Sequence, residues 1–321
     1  MTSAVTAKSE PRRTIFDELR AAVERALEGK PEAVELGLVA LLAKGHLLIE
    51  DVPGVGKTTL ARAIAKSVGA DLNRVQFTSD LLPSDVLGVS VFDQRRNEFV
   101  FRHGPIFTNM LLADEINRAS PRTQSALLEA MNEGQVSMDG VTTPLPDPFF
   151  VIATQNPQDF AGTYPLPESQ LDRFAVRLRI GYPPPAVEQR LFQTPHADRV
   201  AEVPQVIDLA ELVTLQREVQ RVRIDPSLAN YLQQIVHATR NSPAIAIGAS
   251  PRATIQFSVA ARARAKVRAR DYVIADDIHD LAVSALAHRI RLAAQADGYV
   301  PVFEEAEATV RDLVARIPVP L

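Results

Sequence analysis

Residues 50–59 read Glu50-Asp51-Val52-Pro53-Gly54-Val55-Gly56-Lys57-Thr58-Thr59, after the apolar run Leu47-Leu48-Ile49 and before a helical pattern from Leu60 to Val68. A strand, a glycine-containing turn and a helix start in this order direct backbone N–H groups and the positive end of the helix dipole toward one point. We therefore predict a phosphate-binding loop, in which Gly54 and Gly56 let the backbone approach the ligand closely. Lys57 would reach the terminal phosphates, and the hydroxyl of Thr58 would ligate Mg²⁺. The alternative is a chance glycine-rich turn with a surface lysine.

One position departs from the usual phosphate-loop pattern, G-x-x-x-x-G-K-[ST], because Asp51 takes the place of the first glycine. A carboxylate directed at bound phosphates would repel them. We therefore predict that the side chain of Asp51 points away from the ligand.

Two further apolar runs end in polar residues. Met110-Leu111-Leu112-Ala113 is followed by Asp114-Glu115, and the run 149–153 is followed by Thr154-Gln155-Asn156. In open parallel sheets ligands bind outside the carboxyl ends of the strands, so these groups and the phosphate loop are expected to converge on one edge.

This convergence suggests a role for each polar group. Asp114 would join Thr58 in holding Mg²⁺, directly or through water. Glu115 has no obvious basic partner in the sequence and would polarise an attacking water molecule. Asn156 would hold that water or a γ-phosphate oxygen. The alternatives are a solvated helix N-cap for the two acidic residues and an Asx turn before Pro157 for Asn156.

Phosphoryl transfer needs further positive charge at the transition state, and a positioned arginine contributes about 10³–10⁵ in rate. Two arginines are candidates. Arg173 lies in Leu171-Asp172-Arg173-Phe174, at the end of a short predicted helix that leads into the last strand. Arg252 follows Ser250-Pro251 at a predicted helix start. The alternative for each is a surface arginine paired with a carboxylate.

Short apolar runs alternate with helical patterns in the first half of the chain, which is typical of βαβ units and predicts an α/β fold with a buried parallel sheet. The predicted strands are His46–Glu50, Arg74–Phe77, Met110–Asp114, Phe149–Ala153 and Ala175–Ile180. An amphipathic helix at about 16–28 and a more apolar helix at about 31–43 precede them, and hairpin insertions are expected at 91–107 and 135–146.

A proline run at 183–185 marks a predicted domain boundary, and beyond residue 208 the pattern is helix after helix. We predict a disordered N-terminal tail at 1–13, a core domain at 14–183 and a helical domain at 184–321.

The composition excludes several classes of site. The 321 residues include no Cys, which excludes disulfides, thiolate metal sites and cysteine nucleophiles, and the six His residues show no metal-ligand spacing. The formal charge of −4 provides no general attraction for nucleic acid or anionic lipid. No signal peptide and no run of about 18 apolar residues is visible, so a cytoplasmic protein without membrane insertion is expected.

Taken together, the motifs resemble those of the MoxR family of AAA+ ATPases, over nearly all of residues 14–316. The matching segments are Glu50–Thr59 as Walker A, Leu111–Ala119 (LLADEINRA) as Walker B, Ala153–Pro157 (ATQNP) as sensor 1, Leu166–Phe174 (LPESQLDRF), and Gly248–Ala253 (GASPRA) as sensor 2.

The resemblance implies a five-stranded α/β core with hairpin insertions and a C-terminal helical lid. ATP and Mg²⁺ are the implied cofactors, with nucleotide-binding residues Asp51, Val52, Pro53, Gly54, Val55, Gly56, Lys57, Thr58 and Thr59. Asp or a related residue is common at the Asp51 position in this family. Arg173 is then the arginine finger offered to the neighbouring subunit of a homo-oligomeric, hexameric ring, and Arg252 senses the γ-phosphate in its own subunit. Family members usually have Gly near Ala269, where a lid helix ends.

The resemblance also implies a chaperone-like remodeller that matures partner proteins, often proteins with a von Willebrand factor A domain, including insertion of a metal or cofactor. A magnesium-chelatase-like motor subunit, a nucleic-acid-remodelling ATPase and a slow nucleotide-gated scaffold are the alternatives. Nucleic acid is disfavoured, because aromatic residues are 6% of the chain with no Trp. The one basic run scatters over two helix faces and is expected to be a solvated surface with lid contacts: Arg262, Arg264, Lys266, Arg268 and Arg270.

Overall fold

A computed structural model describes residues 14–138, 140–156, 163–193, 198–293 and 303–320. The predicted tail at 1–13 lies outside the described residues, as does Pro157 of the ATQNP segment.

The strands are numbered in chain order: β1 (His46–Glu50), β2 (Leu72–Gln76), β3 (Gly88–Asp93), β4 (Glu98–His103), β5 (Met110–Asp114), β6 (Gln135–Met138), β7 (Val141–Pro144), β8 (Phe150–Gln155), β9 (Phe174–Leu178), β10 (Ile245–Ile247) and β11 (Arg291–Leu292). The helices are α1 (Ile15–Ala26), α2 (Pro31–Leu42), α3 (Lys57–Ser67), α4 (Pro83–Leu87), α5 (Pro121–Glu133), α6 (Glu168–Leu171), α7 (Pro185–Gln193), α8 (Leu209–Val219), α9 (Pro226–Asn241), α10 (Pro251–Val267), α11 (Ala275–His279), α12 (Ala282–Leu286) and α13 (Phe303–Ala315).

The five predicted strands form one parallel sheet in the order β2-β5-β8-β1-β9. Strands β1, β5, β8 and β9 are buried along their whole length, as expected when helices cover both faces of a parallel sheet. β2 begins two residues earlier than predicted, because its pairing with β5 runs from Leu72 to Gln76. The predicted α/β core is confirmed, with β1 between β8 and β9.

Both hairpin insertions are present. β3 pairs with β4, and β6 pairs with β7, each as a separate two-stranded antiparallel sheet. The first hairpin carries exposed Phe92 and Phe99, whose rings contact edge to face at 5.3 Å.

The C-terminal region is helical as predicted, apart from the short antiparallel pair β10 and β11. Its helix α10 packs on α2, and α10 and α12 both contact the edge strand β9. In the described part of the chain, no helix combines the length and the apolar character that crossing a bilayer requires.

Buried charges link the last helix to the sheet. Arg177 of β9 lies 2.9 Å from the carboxylate of Glu50, at the end of β1, and also pairs with Glu307 of α13. Burial raises the pKa of Glu50 to about 7, although the positive charge of Arg177 opposes the shift. The strand that leads into the phosphate loop is thus connected through Arg177 to the C-terminal helix.

The basic run at the end of α10 and just beyond it is largely paired with carboxylates within the fold. Arg264 pairs with Glu35 of α2 at 2.9 Å and with Asp280 at 3.0 Å, and Arg268 also pairs with Glu35. The predicted lid contacts are confirmed, but a solvated surface is wrong for Arg264, which is 7% exposed. These pairs leave little basic surface for a nucleic acid to recognise.

Helix α10 ends in a Schellman motif in which alanine, and not glycine, takes the left-handed position. The N–H of Ala269 donates to Lys266 O and that of Arg270 to Ala265 O, and Ala269 has φ +56°. A non-glycine residue in this left-handed conformation costs roughly 1–2 kcal/mol, partly offset by the greater unfolded-state entropy of glycine.

We expect Ala269→Gly to raise the free energy of unfolding by about 0.5–1 kcal/mol, measured by denaturant unfolding. The matched control is Ala229→Gly, at an exposed interior position of α9, where glycine should destabilise the helix by about 1 kcal/mol. A loss of stability at both positions would contradict the assignment of strain to Ala269.

Candidate functional site

The loop between β1 and α3 has the backbone of a phosphate-binding site. Gly54 and Gly56 have φ +84° and +103°, and a Cβ at position 56 would lie 2.8 Å from Leu27 Cδ1. A Cβ on Gly54 would have no neighbour within 4 Å, so the loop is open on that side. No side chain caps the start of α3, and no acidic residue lies in its first turn. The first-turn amides of α3 are therefore suited to an anion.

The carboxylate of Asp51 is directed away from this loop, as predicted. Its Oδ2 accepts hydrogen bonds from the N–H groups of Ile180 and Gly181, each at 2.7 Å, just beyond β9. Its Oδ1 accepts from Val52 N–H at 2.8 Å. Asp51 thus fastens the loop to the end of the neighbouring strand.

Lys57 places its ammonium group at the base of the loop. Nζ donates to the carbonyl of Asp51 and, at 3.4 Å, to the carbonyl of Gln155 at the end of β8. Desolvation lowers the pKa of Lys57, whereas the carboxylates of Asp51, Asp114 and Glu115 oppose that shift. The lysine therefore lies within electrostatic range of Asp114, the last residue of β5, and of Glu115, which follows it.

Asp114 is held by two side chains from neighbouring strands. Its Oδ1 accepts from the hydroxyl of Thr154 at 2.6 Å, and its Oδ2 accepts from Arg74 Nη2 at 2.7 Å and Nε at 3.1 Å. The sequence pattern alone predicts no role for Thr154 or Arg74. Thr154 belongs to the polar segment that follows the predicted strand Phe149–Ala153, and Arg74 is a charged residue inside a predicted strand.

Glu115 follows directly, in a left-handed conformation with φ +57°. Its N–H donates to Thr154 Oγ1 at 2.9 Å, so one hydroxyl holds both acidic residues in place. The expectation that Glu115 has no basic partner is wrong. Arg118, one turn later, donates to Glu115 Oε2 at 3.0 Å, a pair that the i, i+3 spacing of a short 3₁₀ turn brings together.

The remaining predicted residues of this edge follow the same topology. Asn156 is buried directly after β8, between the strands that end in Glu50 and Asp114, and Thr58 is the second residue of α3. The phosphate loop, both acidic residues and Asn156 therefore meet at the carboxyl edge of the sheet, as predicted.

The predicted ligands suit Mg²⁺ better than a metal ion that protein side chains coordinate on all sides. The two predicted ligands, Thr58 and Asp114, offer oxygen atoms only, and Mg²⁺ commonly takes one or two protein ligands plus water and substrate phosphates. Within the described residues no group of three or more His, Cys, Asp and Glu side chains could hold a metal ion. When bound, Mg²⁺ would neutralise charge on the phosphate oxygens.

Arg173 lies at the opposite edge of the sheet. It immediately precedes β9, whose first residue Phe174 pairs with His46, the first residue of β1. Strand β1 separates this edge from the loop by roughly 13 Å. Nη1 of Arg173 donates to the carbonyl of Leu128, and partial burial lowers the pKa of Arg173.

Arg252 lies beside Arg173 and not beside the loop. Ser250, the N-cap of α10, donates to Asp172 Oδ2 at 2.8 Å, and the positive charge of Arg252 contributes to lowering the pKa of both Arg173 and His46. The expectation that Arg252 senses a γ-phosphate in its own subunit is not supported, because α10 begins at the amino edge. Local sequence gave no information on how the lid docks.

Comparison with known proteins identifies the group to which this architecture belongs. A family model described as "ATPase family associated with various cellular activities (AAA)" matches residues 46–176, and an AAA lid domain model matches 237–313. Chaperone MoxR1 of Mycobacterium tuberculosis is 42% identical, over 87% of this chain and 75% of its own. Protein MoxR of Methylorubrum extorquens is 30% identical, over 92% and 91%. The chain belongs to the MoxR family of AAA+ ATPases.

Two further proteins, whose names give less information about function, are also similar to this chain. The uncharacterized protein YeaC of Bacillus subtilis is 52% identical over 93% of both chains. The crystal structure of a candidate ATPase from Cytophaga hutchinsonii matches with TM-score 0.84 and 34% identity, over 96% of this chain and 95% of that one. The AAA+ core and lid seen here are thus those of the MoxR family.

Proposed function

We propose that this MoxR-family protein hydrolyses ATP with Mg²⁺ at a site shared by two neighbouring subunits, and that it uses the reaction to remodel a partner protein. The observation that carries the proposal is the separation of the two halves of the site. The loop, Asp114 and Glu115 lie at one edge of the sheet, and Arg173 and Arg252 lie at the other. A single subunit therefore cannot bring its own arginines to its own loop without rearrangement.

At the carboxyl edge each residue has a proposed role. The backbone amides from Gly54 to Thr59 surround the phosphates, and Lys57 binds their terminal oxygens. Thr58 and Asp114 hold Mg²⁺, with Arg74 and Thr154 orienting Asp114. Glu115 acts as general base on the attacking water, and Asn156 orients it.

At the amino edge Arg173 and Arg252 supply positive charge to the ATP of the adjacent subunit. This arrangement needs a head-to-tail assembly, which closes into a ring when the rotation allows it, and we propose a hexamer on the family resemblance. The specific ATPase activity should then rise with protein concentration over the range in which the subunits assemble. Concentration-independent activity of a monomer, established by light scattering, would contradict the proposal.

We expect Lys57→Ala to weaken ATP binding by about 10- to 100-fold, because charge-assisted hydrogen bonds contribute about 1.5–3 kcal/mol each. Titration with a fluorescent ATP analogue measures the effect. The matched control is Lys30→Ala, whose Nζ donates to the carbonyl of Tyr182, outside the loop. Unchanged affinity in Lys57→Ala would contradict the assignment of the phosphate loop.

The client is proposed from the relatives. Chaperone MoxR1 is named for a chaperone role, and we propose for this chain the maturation of proteins with a von Willebrand factor A domain, including metal or cofactor insertion. The test is to tag Glu115→Gln, add ATP or ADP to cell extract, and identify what co-purifies with ATP only. Such a protein or a metalloenzyme would support the proposal, whereas nucleic acid or a chelatase subunit would overturn it.

The domain limits are also proposed, with the core at 14–183 and the lid at 184–321. The cytoplasmic location stays a prediction.

A further inference from the structure

A buried arginine of the lid contacts the segments that carry both amino-edge arginines. Arg289 follows α12, and its side chain is 1% exposed. Its Nη2 donates to the carbonyl of Phe174, the residue after Arg173. Its Nη1 donates at 3.3 Å to the carbonyl of Ala253, the residue after Arg252. One guanidinium group therefore bridges the two backbone segments.

Other contacts strengthen this junction. Asp172 accepts from Ser250 at 2.8 Å and lies 3.7 Å from Arg289 Nε. Nη2 of Arg289 also donates to Gln256 Oε1, one turn into α10. His288 Nε2 lies 2.8 Å from the carbonyl of Phe174, to which it donates when that nitrogen carries the proton.

The junction works against electrostatic repulsion. Arg252 contributes to lowering the pKa of Arg173, and it contributes in the same direction at Arg289, where burial lowers the pKa to about 10. Arg289 is still protonated at neutral pH. The carboxylate of Asp172 beside Arg289, and those of Glu129 and Glu133 near Arg173, offset part of the repulsion among these positive charges.

We propose that Arg289 is a positioning residue, which locks the lid to the start of β9 so that Arg173 and Arg252 face the triphosphate of the neighbouring subunit as one pair. This inference rests on the proposed shared site. The shape of the Arg289 guanidinium group matters as much as its charge, because its two terminal nitrogens donate to two carbonyls at once, one in β9 and one in α10. A lysine can contact only one of them with comparable geometry.

The first test compares Arg289→Lys with Arg264→Lys, a matched change at another buried lid arginine, which pairs with Glu35 and Asp280. We expect Arg289→Lys to lower kcat by about 10²-fold, the effect of misplacing a catalytic group by about 1 Å, with ATP affinity unchanged. Arg264→Lys should keep its kcat. Gln256→Ala, a milder change that removes one contact to Arg289, should lower kcat to a smaller extent.

The second test distinguishes positioning from damage to the fold. Arg289→Lys subunits are mixed with Lys57→Ala subunits, which retain both amino-edge arginines but bind ATP poorly. Activity above that of either variant alone is expected, because the intact loop of one meets the intact arginines of the other. Normal kcat in Arg289→Lys would overturn the inference.

No recovery on mixing would also overturn it, provided that Arg173→Ala does recover with Lys57→Ala under the same conditions. If Arg173→Ala does not recover either, the proposed shared site fails and not the role of Arg289 alone.

Discussion

Arg173→Ala is expected to lower kcat by about 10³–10⁵-fold and to leave ATP affinity nearly unchanged. Arg173 lies at the amino edge of the sheet, and the length of β1, roughly 13 Å, separates that edge from the loop of the same subunit, so its loss does not touch that loop. Its guanidinium would act only on the neighbour's transition state, where a positioned arginine stabilises the charge on the transferred phosphoryl group.

The measurement pairs steady-state ATP hydrolysis with equilibrium binding of a fluorescent ATP analogue. Arg217→Ala, at an exposed arginine of α8, serves as the control and should behave as wild type. An Arg173→Ala protein with near-normal turnover would remove Arg173 from the mechanism. A variant that lost ATP affinity in proportion to its rate would show that Arg173 acts on ground-state binding instead.

Glu115→Gln is the second large effect, with turnover expected to fall by about 10²–10⁴-fold, the contribution of a general base. The amide keeps the shape of the side chain and leaves the backbone hydrogen bond to Thr154 in place, but it cannot accept a proton from water. ATP binding should be retained, because Lys57 and the loop amides are unaltered.

Single-turnover hydrolysis and binding stoichiometry check this prediction, with Glu18→Gln on the exposed face of α1 as the control. Near-normal turnover in Glu115→Gln would exclude Glu115 as the base. A rate equally slow in wild type and Glu115→Gln would favour a nucleotide-gated scaffold. Glu115 also forms an ion pair with Arg118, and this pair has to break before Glu115 can turn to an attacking water molecule. Substitution of Arg118 is therefore an informative second test of the role of Glu115.

The carboxyl edge of the site was largely predictable from sequence. Buried parallel strands appear in the sequence as short apolar runs, and the polar groups of the site come directly after three of these runs. The orientation of Asp51 followed from charge repulsion alone, and the structure supplies its partners, Ile180 and Gly181.

The amino edge was not predictable in the same way. The position of Arg252 depends on how α10 packs against α2 and β9, which are contacts between residues far apart in the chain. Thr154 and Arg74 were missed for a similar reason, because their function arises only when neighbouring strands set them beside Asp114. Local pattern identifies a strand end, whereas the partners across strands come from the tertiary fold.

The central claim is that the loop of one subunit and the arginines of the next form one site, and mixing two inactive variants tests it most directly. Lys57→Ala subunits retain the arginines, and Arg173→Ala subunits retain the loop. In a randomly mixed ring at equal ratio about one quarter of the interfaces join an intact loop to intact arginines, since each neighbour is the required variant half of the time. ATPase activity well above that of either variant alone is the predicted result, and no recovery at any ratio, with both variants assembled, would contradict the shared site.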